Sequence, residues 1–117
     1  KSDYTDALIQ QALLYEKEGD ATNALTEIEK LAVSYPLSSE ILFQLGRLYF
    51  NNSQISEAVT QFKRVVILVP DHSNAHYSLG VAYAAQGEKD LAIAEFEKVL
   101  ELNPGNQDVQ KKIDQLK

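Results

Sequence analysis

With 117 residues, 24% of them charged and 44% hydrophobic, the chain is long enough for one packed domain or one stacked array and too apolar to stay unfolded. Seventeen acidic side chains against eleven Lys and Arg leave a net charge of −6, which disfavours nucleic-acid phosphates and anionic lipid as partners. Without cysteine, a disulfide framework, a thiolate nucleophile and a Cys-based zinc site are excluded.

The first apolar stripe at helical spacing predicts a helix over roughly 3–18, stopped at Gly19-Asp20, where glycine takes the left-handed conformation cheaply. A second helix, roughly 21–34, exits at Tyr35, because Pro36 pushes the residue before it out of helical geometry. The third, roughly 39–52, has Ser38 or Ser39 as capping candidate and carries Leu42, Leu45 and Tyr49 on one face. After the break at Asn52-Ser53, a fourth helix of roughly 55–68 presents Ala58, Phe62, Val65 and Val66 and exits at Val69 before Pro70. The fifth and sixth, roughly 73–86 and 89–102, start from the candidate cap Ser73, break at Gly87-Glu88 and end at Asn103 before Pro104. A seventh begins after Asn106, with Val109, Ile113 and Leu116 as a narrow stripe among polar residues, the pattern of a terminal cap. The longest aliphatic run, Val65 to Val69, is far short of the ~20 residues that span a bilayer, so no membrane insertion is expected. Opening at Lys1-Ser2 with no charged-then-apolar leader, the sequence reads as an excised or mature piece of a longer protein, and its compartment stays open.

One period organises these elements. The three prolines, Pro36, Pro70 and Pro104, stand 34 residues apart, as do Tyr15, Tyr49 and Tyr83, and Ala24, Ala58 and Ala92. Leu45-Gly46 and Leu79-Gly80, and Ile28, Phe62 and Phe96, follow the same interval. Helical pairs with this Leu-Gly, Tyr, Ala, Phe and Pro pattern resemble tetratricopeptide repeats, and the first pair is looser, with Gln11-Ala12 in place of Leu-Gly. The resemblance implies an all-α, right-handed superhelical solenoid of three repeats, about 5–38, 39–72 and 73–106, with a capping helix over 107–117, in a single domain.

It further implies a non-catalytic module that binds a protein or peptide in its concave groove, as an adaptor or scaffold region of a larger protein or complex. By matching positions, the groove is lined by Ile9 and Leu13, then Phe43, Gln44, Arg47, Phe50 and Asn51, then Tyr77, Ser78 and Val81. Phe43, Phe50 and Tyr77 are expected to hold apolar anchors while Arg47, Gln44 and Asn51 bond the partner's backbone or a carboxylate. A packing role for Phe43 and Phe50 is the alternative. Family members that grip acidic chaperone tails use a two-carboxylate clamp whose matching positions here are Ile9, Leu13, Gln44, Asn74 and Ser78. These offer no cation, so an apolar or basic ligand is expected instead. Self-association into an oligomeric scaffold, and docking for an enzyme whose catalytic part lies elsewhere, are the other readings.

His72 and His76 stand four apart, but His72 falls in the loop after Pro70 and His76 at a packed position, so no metal is expected. No nucleophile with an adjacent base and no phosphate loop is recognisable, and neither catalysis nor a cofactor is expected. Acidic groups such as Glu16, Glu18 and Asp20, or Glu95, Glu97 and Glu101, read as solvated helix faces.

Overall fold

The computed structural model describes residues 2–117, with side chains from Tyr4 onward. Its elements are α1 (Ser2–Lys17), α2 (Ala21–Ser34), α3 (Ser39–Asn51), α4 (Ile55–Leu68), α5 (Ser73–Ala85), α6 (Lys89–Leu102) and α7 (Gln107–Leu116). Among the described residues there is no strand, and the sequence boundaries hold to within a residue or so.

Local chemistry accounts for the boundaries. Asp20 caps α2 by accepting from the Asn23 N–H, Ser38 caps α3 through Ile41, and Asn106 caps α7 through Val109. At α5 the cap is His72 rather than Ser73: His72 has the extended backbone, and its Nδ1 accepts from the Ala75 N–H at 3.0 Å. Ser73 instead accepts a 2.9 Å bond from Asn103, tying the two loops beside α5 together. Tyr35, Val69 and Asn103 are the helix exits that the prolines predict. Within the pairs the chain turns through a left-handed residue at Gly19, Ser53 and Gly87, three positions in the same register.

Each helix packs chiefly on its neighbours in sequence, with α3 also against α5, and the stack measures 40 × 27 × 21 Å. This is the right-handed superhelical solenoid that the period implies. The pairs close tightly because α3 and α5 offer bare backbone where α4 and α6 present a ring. A Cβ on Gly46 would lie 2.6 Å from the Phe62 ring, and one on Gly80 would lie 2.7 Å from Phe96. Ala24, Ala58 and Ala92 are wholly buried, each in the core of its own pair.

Polar links fasten one pair to the next. The Tyr49 hydroxyl donates to Glu29 of α2 at 2.8 Å. Burial, with the Glu29 bond and the Glu29 and Glu57 carboxylates adding to it, pushes the Tyr49 hydroxyl up to about 12. Tyr83, its counterpart in the third pair, is raised for the same leading reason, with Glu95 and Glu88 contributing. Two acidic clusters are only partly solvated faces. Asp20 is a cap, Glu16 pairs with Arg47, and Glu95 lies 2.7 Å from Nδ1 of buried His76, whose Nε2 meets the Pro70 carbonyl at 2.7 Å. The two histidines therefore serve different partners and do not converge. Among the described residues no helix is long and apolar enough to cross a membrane.

Candidate functional site

The helices α3, α5 and α7 run side by side, each one period after the last, and their inner faces form a shallow groove. Its centre is a depression of about 160 Å³ lined by Arg47 and Phe50 of α3, Tyr77, Ser78 and Val81 of α5, and Phe62, which forms its floor. Val81 also borders a second depression of about 150 Å³ that reaches Ala84, Phe96 and, on α7, Lys112, Gln115 and Leu116.

The polar wall is fixed by the protein itself. Arg47 donates to both carboxylate oxygens of Glu16, at 3.0 and 2.9 Å, and through Nε to the Gln44 amide oxygen at 2.9 Å. The Gln44 amide nitrogen in turn donates to Glu40 at 3.1 Å. The hydrogen bond from the Arg47 guanidinium, opposed by burial and aided to a lesser degree by the Arg47 charge, holds the Glu16 carboxyl below its ordinary value. This fork joins α1 to α3 and holds the Arg47 side chain beside Phe50, so the wall presents an oriented guanidinium edge rather than a mobile cation.

The ten residues expected on the groove thus divide. Arg47, Phe50, Tyr77, Ser78 and Val81 come together, and Gln44 is attached through Arg47. Ile9 does not reach the groove: it is 1% exposed in the core with Ala12 and Ile28, because an aliphatic chain with no polar tip turns inward. Leu13 packs half-buried on that core. Phe43 is committed to packing, its ring 5.7 Å from Phe62 and 5.2 Å from His72. Asn51 is exposed near the end of α3, outside the depression. Sequence reasoning missed Phe62, which enters from a second helix, and the α7 residues. The period carried that signal, since Lys112 and Gln115 fall 34 residues after Ser78 and Val81. Lys112 lies over the Tyr77 ring with its Nζ 5.9 Å from the centroid.

A sequence profile described as tetratricopeptide repeat matches residues 43–107, more than half of the chain, and a second with that description matches residues 6–38. The chain belongs to the tetratricopeptide repeat family. Solved structures of tetratricopeptide repeat proteins superpose closely on it. The first such domain of Spaghetti (RPAP3), bound to the HSP90 peptide SRMEEVD, has a TM-score of 0.89 at 22% identity over 99% of this chain and 92% of that one. MamA has a TM-score of 0.88 at 26% identity over 96% of this chain and 66% of its own. The translocator chaperone SycD of Yersinia enterocolitica type III secretion has a TM-score of 0.90 at 15% identity, over 99% and 85%. No match to a curated protein was found.

Proposed function

We propose that this tetratricopeptide repeat chain is a non-catalytic interaction module that seats an apolar segment of a partner peptide between α3 and α5. The observation that carries the reading is the half-buried depression of Phe50, Tyr77 and Val81 over Phe62, bordered by an arginine whose geometry is already set. Aromatic bodies around a small cavity give the contact area that dominates binding energy, and prior fixing of Arg47 lowers the ordering cost of association. Peptide recognition by the similarly folded RPAP3 domain, and the chaperone role in the SycD title, support a protein ligand in general.

The ligand chemistry we favour is apolar first. An acidic tail held by the family's clamp does not suit this chain, because Ile9, Leu13, Gln44, Asn74 and Ser78 stand where the clamp's cations and amides belong. A preference for basic ligands, expected from the net charge, finds little support on this face, where Arg47, Lys111 and Lys112 stand near Tyr77 and Glu16 is already paired. Selection from a peptide library followed by calorimetry tests the reading. Phe50→Ala is expected to weaken the selected peptide about tenfold or more. Ser78→Arg, which fills the depression without removing core packing, should do the same while leaving the thermal transition in place. Unchanged affinity in both variants would overturn the groove.

A further inference from the structure

The outer face of the solenoid, built on the second helices of the pairs, carries the three most exposed large apolar side chains among the described residues. Val33 at the end of α2 is 82% exposed, and Leu37 in the loop that follows and Ile67 at the end of α4 are each 76% exposed. Leu68 adds a fourth, and none of the four packs on a core cluster. The repeat places Val33 and Ile67 at one level of α2 and α4, and the two helices are joined there. Arg64 donates to the Pro36 carbonyl at 3.3 Å, and Ala32 packs on the buried cluster of Leu42 and Val65. The fold does not call for apolar side chains at these positions. Glu101 stands in the third pair where the second has Ile67, and Asp71 and Gly105 stand where the first has Leu37. The face is turned away from the groove and from the surfaces through which pairs stack, so further repeats at either end would leave it open.

We infer that this patch docks an amphipathic helix of a partner protein, with aliphatic residues along one face and Asp or Glu beside them. Charge selects the occupant. Lys63 and Arg64 precede Ile67 by one helical turn, as Lys30 precedes Val33, so the cations share the faces of the apolar residues. Arg64 bonds only uncharged acceptors, the Pro36 carbonyl and the Gln61 amide oxygen, and among the described residues Lys63 makes no ion pair. The nearby acids of α2 are engaged, Glu27 with Lys30 and Glu29 with the Tyr49 hydroxyl. Glu57, the one acid of α4, stands in its first turn, at the opposite end from Ile67. A chain of net charge −6 thus keeps a cationic excess beside its most exposed aliphatic side chains, which attracts an acidic partner, while the total charge disfavours an anionic bilayer. Two neighbouring helices that bear Val33 and Ile67 at one level leave a furrow between their ridges, the form in which a third helix seats.

The test titrates two hydrocarbon-stapled helices of about 15 residues into the isotope-labelled full chain, with chemical shifts read residue by residue. Both carry Leu at i, i+3, i+4 and i+7, one with Glu and the other with Lys at the flanking positions. The Glu helix is expected to shift Lys30, Val33, Leu37, Arg64 and Ile67 and to bind several-fold tighter than the Lys helix, by a margin that shrinks as salt is raised. Ile67→Glu, at an exposed position where the third pair already has an acid, should weaken the Glu helix about tenfold, and Lys63→Glu should narrow the margin between the two helices. Phe50→Ala, in the groove, should change neither. No shifts at millimolar peptide, shifts confined to Phe50, Tyr77 and Val81, or a Lys helix that binds as well as the Glu helix would overturn the inference. So would binding of the chain to phosphatidylglycerol vesicles, or its sedimentation as a dimer, if Ile67→Glu abolished either, since a bilayer or a second copy would then be the occupant.

Discussion

Gly46 determines how closely α3 meets α4. Alanine there gains about 1 kcal/mol of helix propensity but drives a methyl to within 2.6 Å of the Phe62 ring, and overpacking of a filled core costs ~1–3 kcal/mol. The clash wins, so Gly46→Ala is expected to lower the unfolding free energy by about 1–2 kcal/mol in urea. Combined with Phe62→Leu it should cost less than the two single changes together, since they share one contact. Glu16 yields a prediction in pH. Its carboxyl is held below the ordinary 4.5 by Arg47, so its stabilisation is fully present above that value and fades as pH falls through the folded-state value. The stability gap between the parent and Glu16→Gln should therefore be widest near neutrality and narrow in acid. A gap constant from pH 7 to pH 3 would show that the fork does not titrate.

Among the elements, α5 and α6 share a buried polar staple at a position where the first two pairs are apolar. His76 lies where the first and second pairs have Leu8 and Leu42, and both of its ring nitrogens face oxygen acceptors on Glu95 and Pro70. Glu95→Ala strands the buried imidazole and is expected to cost about 1–3 kcal/mol, whereas His76→Leu leaves a Glu95 carboxylate that is 24% exposed and can turn to water, and should cost less than about 1 kcal/mol. The double variant should resemble His76→Leu alone in thermal unfolding. Helix ends such as Tyr35 and Val69 were legible because proline acts on its own neighbours. The cap of α5 was misread as Ser73 because serine is the commoner capping residue, while the backbone placed His72 in the extended position. Of the groove, Phe50, Tyr77 and Val81 were legible from position in the period. The Glu16–Arg47 fork was not, since it joins side chains 31 residues apart across two helix pairs, and its formation depends on how α1 and α3 cross. Nor was the burial of Ile9 and Phe43, which depends on how far neighbouring rings and helices close over them.

For the whole molecule, stability is close to a sum of pair and neighbour terms, because little beyond the next helix is touched. Among the described residues the first pair meets a neighbour on one side only, and α1 leaves Tyr4, Leu14 and Tyr15 exposed. Native-state hydrogen exchange is therefore expected to be fastest in α1 and slowest in α3 to α5, where both sides are covered. Uniform protection across all seven helices would mean that the stack opens as one unit.

The bare backbone of Gly46 and Gly80 also has a geometric reach beyond their own pairs. With a ring pressed on each glycine, the crossing of the two helices has no slack, and any tilt introduced there is handed on and compounded along the 40 Å of the body. For the proposed groove, the span between Phe50 and Lys112 on α7 would then be a ruler for ligand length, graduated by residues that no ligand touches.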